Sequence, residues 1–442
     1  MLTALRSISA TRTKIKNIII IMKSFAALAL GLQAVAAKVS YDGYKVFHIE
    51  TSDFEAMQAK LSDIEYVSLD CESNHKSLEV AVAPQDLEAF EALGLDVEVS
   101  IEDMGAEIAK EGDIKPYKAR KKARDVCTGL PDMSWFDSYH VFEDHLDFLE
   151  DLQSAFVRNS ELFDAGLSLE GRPLRGIHLW GRDGPGIKPA IIWHATVHAR
   201  EWITTPTVEY MAYQIIRDYR IKEPLITETL DNYDFYIMPV INPDGFVHTH
   251  ENDRLWRKNR QARESSSCIG TDINRNWPHQ WDVPGGSSTN PCVETYRGES
   301  PGDTPEMAVM TNHTLSLAES TGIKFYVDWH SYSQLILLPY GYSCDAMVKD
   351  FDTQMELARG VRDAIRSVNG LDFVYGPTCE TIYQTSGGSM DYVYDVANAE
   401  LSWAFELRPQ SPRQGGFAIP PENIIPSGEE VWAGMRNLFA NF

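Results

Sequence analysis

Past residue 125 the chain alternates short runs that are apolar at most positions with longer stretches that are apolar on one side only. Arg175–Trp180, Ala190–His194, Tyr233–Val240, Phe325–Trp329 and Trp403–Leu407 are too short for helices and show little polar/apolar alternation. Runs of this kind are strands buried on both faces. Phe142–Phe156 and Thr205–Tyr219 carry apolar residues at helical spacing instead. Buried strands separated by helices predict an α/β sheet covered on both sides. Tyr233–Val240, Phe325–Trp329 and Trp403–Leu407 each have polar residues at or near the C-terminal end, and ligands of open α/β sheets gather at the carboxyl ends of strands.

The N-terminal part follows another pattern. Gly43–Thr51, Tyr66–Asp70, Ser77–Ala83 and Asp96–Ile101 read as strands, and Ser52–Ser62 and Pro84–Leu93 as helices. The order β-α-β-β-α-β is that of a small α+β ferredoxin-like module. It holds no cluster of catalytic groups, which leaves a folding appendage or an inhibitory prosegment. An acidic, helical stretch Glu102–Ile114 and a basic run Lys115–Arg124 (KPYKARKKAR) follow. A charge run is commonly a solvated face. Between two domains it is also a substrate for a trypsin-like or dibasic-specific protease, and we expect cleavage at or close to Arg124.

At the start, Lys14, Lys16 and Lys23 precede or interrupt Ile18–Met22, Phe25–Leu32 is an apolar core, and Ala34-Val35-Ala36-Ala37 offers small residues for cleavage. This reads as a secretory signal through residue 37, with Met1 or Met22 as its start. A membrane anchor over Ile18–Ala37 has the length to span, but Lys23 and Gln33 interrupt it. The expected divisions are therefore 1–37 signal, 38–103 activation module, 104–124 linker with the basic processing site, and 125–442 catalytic domain.

Composition narrows the class. The 442 residues suffice for more than one domain. A formal charge of −24 argues against nucleic acid or an anionic membrane as partner. Six cysteines in a secreted chain permit three disulfides without requiring them. Cys268 and Cys292 flank a Gly/Ser/Pro-rich loop, Cys344 and Cys379 bracket a helical segment, and these four are the candidate disulfide residues. Pairing of Cys71 with Cys127 stays open.

His198 and Glu201 sit three apart just beyond the run Ala190–His194, and His330 lies far downstream. Two imidazoles and one carboxylate are the ligand set of a catalytic zinc with an open position. His-x-x-Glu alone is weak, but other stretches stand with it. Asn242-Pro243-Asp244-Gly245 ends a strand in a sharp turn, and Arg254-Leu255-Trp256-Arg257 follows. Asp272-Ile273-Asn274-Arg275 joins an amide to a guanidinium, Tyr383 lies in a Gly/Ser loop, and Glu406 sits on an apolar strand.

In this order and spacing, from about Met133 to the C-terminus, the chain resembles the zinc metallocarboxypeptidases of the carboxypeptidase A family. The preceding module resembles that family's activation domain in position and order. The resemblance implies a mixed central sheet with helices on both faces and one Zn2+ held by His198, Glu201 and His330. It implies a secreted zymogen that hydrolyses the C-terminal peptide bond of peptides and proteins.

It makes Glu406 the general base, for which an ion pair with an arginine is the alternative. Arg257 corresponds to the residue that stabilises the oxyanion. Asn274, Arg275 and Tyr383 match the residues that grip the terminal carboxylate. Arg200 matches a substrate contact nearer the cleft mouth. Asp272 aligns with the carboxylate that orients the first histidine, or it stabilises the turn before Asn274. Met390 aligns with the base of the side-chain pocket, and an apolar residue there implies preference for aromatic or large aliphatic ends; core packing is its alternative.

Asp328 departs from the typical animal pattern: it either admits polar side chains or is a hydrogen-bonded structural acid. Arg254 takes no catalytic role and reads as surface charge or a contact at the cleft mouth. His194 is expected in the core, and His248, His250, His279 and His313 in loops or on the surface. Two rival functions are a catalytically dead peptide-binding relative and a zinc amidase of another substrate class. The retained Glu406 and Arg257 oppose the first, and the Asn274, Arg275 and Tyr383 set opposes the second.

Overall fold

The structure is a computed structural model that describes residues 38–51, 53–69, 77–118 and 129–442. The expected signal 1–37, Cys71, Cys127 and Arg124 lie outside these residues. Among the described residues no helix is long and apolar enough to cross a membrane.

The N-terminal module has the expected order. Strands β1 (Lys45–Glu50), β2 (Tyr66–Ser68), β3 (Ser77–Val82) and β4 (Val97–Ile101) alternate with helices Phe54–Lys60 and Leu87–Ala92. They pair antiparallel in the order β2-β3-β1-β4. Phe47, Ile49, Leu78, Val80 and Phe90 close the module's own core. Val46, Ala81 and Ile101 face the other way and pack with Leu255, Phe417 and Ala418 of the larger part. The alternation of adjacent residues between two apolar surfaces is the two-residue period of a strand used on both sides. The acidic stretch forms a helix only over Met104–Ala109, started by Asp103, whose side chain accepts from the Ala106 N–H.

The larger part is built on an eight-stranded sheet of β5 (Ser160–Leu167), β6 (Pro173–Leu179), β7 (Ala190–Ala195), β8 (Asp234–Met238), β9 (Ile323–Ser331), β10 (Leu335–Leu338), β11 (Val374–Pro377) and β12 (Leu401–Leu407), in the order β11-β10-β12-β9-β7-β8-β6-β5. The centre, β12-β9-β7-β8, is parallel, while β10–β12, β6–β8 and β5–β6 pair antiparallel. The sheet is therefore mixed, as expected.

Its central strands bury both faces. Ile191, Trp193, Phe325, Val327, Trp329, Trp403 and Phe405 meet helices Phe142–Ala155, Thr204–Arg220, Phe351–Asn369 and Ile424–Phe439. Ile192, Ile323 and Tyr326 meet Pro305–Ser320 and Ser389–Asp395 on the opposite side. Each fully buried Ile, Val or Phe among them contributes roughly 1.5–3 kcal/mol. This double burial is why these strands read as unbroken apolar runs.

The strands that pattern reading missed are β5, β10 and β11. β5 lies at an edge and is largely half-exposed, β10 has four residues, and β11 is an edge strand ending in Pro377. None buries both faces over enough length to leave a signal. The stretch Asn242-Pro243-Asp244-Gly245 is a helix start rather than an isolated turn. Asn242 caps helix Pro243–Glu251 by accepting from the Gly245 N–H at 3.0 Å, with Pro243 in the first turn. His248, His250 and His313 also differ from expectation, since they lie on helices. His250 stacks on Trp202 and His313 on Phe163. His194 is a core residue as expected, with Nδ1 3.3 Å from the Tyr326 hydroxyl and its pKa pushed down to about 3 by burial.

The candidate disulfide cysteines join as Cys268–Cys292 and Cys344–Cys379. Closing loops of 24 and 35 residues removes freedom from the unfolded chain, at about 3 kcal/mol each.

Candidate metal centre and substrate cleft

The site forms at the carboxyl ends of the central strands. His198 and Glu201 follow β7 in the turn before helix Thr204–Arg220, and His330 is the penultimate residue of β9. Parallel pairing puts Glu406 of β12 directly opposite His330, with Ala404 opposite Asp328. Alternation along β12 sends Trp403, Phe405 and Leu407 to the helix-covered core. Ala404 and Glu406 are left to line the cleft with His198, Glu201 and His330.

One nitrogen from each histidine and one Glu201 oxygen lie within 4.8 Å of one another, and all three residues are buried. His198 Nδ1 is 2.7 Å from Glu201 Oε1, His330 Nδ1 is 3.1 Å from Oε2, and the two Nδ1 atoms are 3.2 Å apart. On the far side of the first ring, His198 Nε2 lies 3.2 Å from Asp272 Oδ1. A proton on Nε2 satisfies Asp272 and turns the Nδ1 lone pair inward, toward a carboxylate. Electron pairs converging in a buried space call for a cation. Two imidazoles and a carboxylate suit zinc with a position left open. Burial opposes ionisation of Glu201, yet His198 and His330 hold its carboxyl well below the usual range.

Asp272 is placed for both readings considered for it. It caps the short turn Ile273–Arg275, accepting from the Asn274 N–H at 2.9 Å, while facing His198. Its other oxygen accepts from Arg257 Nε at 3.2 Å and Nη2 at 2.9 Å. Burial works against its charge, but Arg257 and His198 keep it well below the ordinary carboxylate range. Arg257 is thereby fixed at the cleft wall, its Nη1 3.9 Å from Glu201.

Glu406 is half-buried and opens on the cleft. No described residue forms an ion pair or hydrogen bond with its carboxylate, so the arginine alternative fails among the described residues. Its packed surroundings push the pKa up to about 8, opposed by His330 and Arg257 and reinforced by Glu201. A divalent cation beside it would draw that value back down.

Asn274, Arg275 and Tyr383 line the same cleft. Arg275 is nearly buried, donates from Nη1 to the Asn274 carbonyl at 2.9 Å, and leaves Nε without an acceptor among the described residues. The loop carrying Tyr383 needs glycine at 387, where φ is +62° and an added Cβ would stand 2.4 Å from the Arg275 carbonyl oxygen.

Beyond them Leu337, Ile382, Met390 and Ala404 line an apolar part of the cleft, with Leu335 packed in the same cluster. Met390 is 6% exposed, so it both packs and forms the pocket wall. Asp391 next to it is committed, accepting from the Gly341 and Tyr342 N–H groups. Burial raises it to about 7. Asp328 does not line the cleft; it is fully buried and accepts from the Ser389 hydroxyl at 2.6 Å.

Two arginines are covered from the N-terminal side, one by the module and one by the segment that follows it. Arg200 is buried, donating from Nη1 to the Ser68 carbonyl at 3.0 Å and lying over the Phe417 ring at 4.2 Å. Arg254 is no surface charge: it is 2% exposed, binds Glu111 through Nε at 2.8 Å, and sits 3.8 Å over the Trp202 ring. Its partner comes from a segment with no pattern linking it to residue 254, so sequence reading had no signal for it. Leu69, at the end of β2, reaches the cleft lining itself.

Comparison with known proteins bears on the same residues. A family profile described as zinc carboxypeptidase matches residues 145–434. A metallocarboxypeptidase A-like protein of Trichophyton verrucosum (strain HKI 0517) is 43% identical over 429 residues, covering 96% of this chain and 99% of that protein. Carboxypeptidase A1 of Mus musculus is 34% identical over 428 residues, covering 94% and 98%. Among solved structures, thrombin activatable fibrinolysis inhibitor matches with a TM-score of 0.79 at 26% identity, covering 91% of this chain and 98% of that chain.

Proposed function

The chain belongs to the zinc carboxypeptidase family, and from that premise we propose a secreted precursor that, once processed, removes hydrophobic residues from peptide C-termini. It is a metallocarboxypeptidase. In this reading His198, Glu201 and His330 hold the zinc ion. Zinc, when bound, supplies Lewis acidity toward a carbonyl oxygen and a lowered pKa for water. Glu406 accepts the proton of the attacking water and delivers it to the nitrogen of the leaving amine. Arg257, anchored on Asp272, stabilises negative charge growing on the scissile carbonyl oxygen.

The observation that carries the exopeptidase reading is Arg275 beside the apolar pocket. A buried guanidinium with Nε unsatisfied is costly, and a terminal α-carboxylate satisfies it bidentately. Asn274 and Tyr383 flank that position, and the pocket of Leu337, Ile382, Met390 and Ala404 takes the side chain. The absence of an uncommitted acid among the pocket's described residues supports a hydrophobic preference. Two disulfides support an oxidising compartment. Cover over Arg200 and Arg254 supports a precursor held inactive by residues 38–103 and the following segment that carries Glu111, until a protease cuts the basic run.

A panel of peptides differing only at the last residue tests the reading on the processed enzyme. Terminal Phe and Leu should be released well ahead of Lys, Arg or Asp, and C-terminally amidated peptides should resist. A chelator should abolish release, and added zinc restore it. Chelator-resistant activity, or equal cleavage of amidated peptides, would sink the proposal.

Met390→Asp places a charge in a pocket that lacks one. A buried unpaired acid beside an apolar side chain is unfavourable by roughly 3 kcal/mol. The ratio of kcat/KM for terminal Lys over terminal Phe should rise about 100-fold, and an unchanged ratio would mean that Met390 only packs the core.

A further inference from the structure

We propose that Asp328 is a positioning residue that fixes which nitrogen of His330 carries the proton. The inference rests on His330 being a metal ligand through Nδ1 and goes beyond it, to what makes Nδ1 available.

The geometry around the other ring nitrogen poses a choice. His330 Nε2 lies 3.2 Å from Asp328 Oδ2 and 3.2 Å from Asn274 Nδ2. The Asn274 amide is oriented by the Ser389 N–H, which donates to Oδ1 at 2.8 Å, so its NH2 group is the side facing the ring. If Nε2 keeps its lone pair, Asn274 donates to it, Asp328 faces that lone pair with a negative oxygen, and the proton sits on Nδ1. If Nε2 carries the proton, it donates to Asp328, and Nδ1 directs its lone pair at the space shared with Glu201 and His198. Only the second state can ligate a metal through Nδ1.

Asp328 decides between them. Its side chain is fully buried, Oδ1 has no partner among the described residues, and Oδ2 has one neutral donor, the Ser389 hydroxyl. A buried carboxylate so thinly satisfied is unfavourable, and a proton on His330 Nε2 supplies the missing donor. The same proton bars the Asn274 amide from bonding to the ring, which leaves that amide for the substrate's carboxylate. Both histidines then have a carboxylate behind them, Asp272 for His198 and Asp328 for His330. Such partners set tautomer and ligand basicity.

The test is zinc affinity, by competition with a chromogenic chelator, for the natural chain and Asp328→Asn, together with 15N-histidine NMR. The substitution removes the charge but little volume. Zinc binding should weaken about 10- to 100-fold, while the metal-free proteins melt together. In the zinc-free natural protein neutral His330 should carry its proton on Nε2. Unchanged zinc affinity in Asp328→Asn, or a proton on Nδ1 of neutral His330 in the zinc-free natural protein, overturns the proposal. The NMR measurement needs no substitution, so it decides the matter even if Asp328→Asn fails to fold. A natural chain that binds no zinc would bring down the ligand assignment and this proposal together; tight natural binding left unaltered by Asp328→Asn overturns this proposal alone.

Discussion

Glu406→Gln is expected to lower kcat by about 10²- to 10⁴-fold while zinc content stays the same. The substitution keeps the shape of the side chain and removes its ability to accept a proton. Glu406 is a suitable base because of where it sits. It lies across from His330 in the parallel register, half-buried, with no cation paired to it among the described residues. A carboxylate neutralised by a salt bridge would be a poor proton acceptor, and one fully in water would gain nothing from the site. A neutral amide at this position relieves an uncompensated acid, so the variant should melt at or above the natural temperature. Turnover, metal content and a thermal melt measured on one preparation separate lost chemistry from lost folding. Near-normal turnover with zinc in place would remove Glu406 as the base.

The second large effect concerns the N-terminal module. Cutting the basic run at residues 115–124 should raise kcat/KM on short peptides by at least tenfold, and Glu111→Ala should raise the activity of the uncut chain. Glu111 and Arg254 are both buried at their contact, and Arg254 also donates to the Arg200 and Phe417 carbonyls. Taking away one member of a buried pair destabilises the arrangement by about 3–5 kcal/mol, equivalent to a shift in docking of roughly 10²- to 4 × 10³-fold. Arg200 adds its bond to Ser68, and Leu69 reaches the cleft. With these contacts in place a peptide cannot use the face of Arg200 that Ser68 occupies. An uncut chain as active as the processed one would refute the precursor reading, whatever the fate of the zinc centre.

The resemblance that carried the site was legible because its parts are local. His198 and Glu201 share one turn, Asn274 and Arg275 another, and Glu406 stands out as a charge in an apolar strand. Arg254 was not legible. Its surroundings in sequence are polar and its partner is 143 residues away, so a buried arginine and a surface one look alike along the chain. Edge strands β5 and β11 escaped for a related reason, since an edge needs less apolar length than a strand buried on both faces, while β10, paired on both sides, has only four residues.

By itself the sequence determined the class of fold, through runs that must be buried on two sides, and the chemical inventory of donors, acid, guanidinium and phenol. Both are properties of short windows, where spacing and side-chain chemistry act directly. The tertiary structure alone decided that His198 and His330, 132 residues apart, turn their Nδ1 atoms to one point. It also decided that β12 lies in the register that sets Glu406 beside His330, and that Asp328 stands behind that ring instead of in the pocket. A one-residue slip of β12 would send Glu406 to the opposite face without altering a single motif. Register and convergence come from packing summed over the whole sheet, and no local window contains that sum.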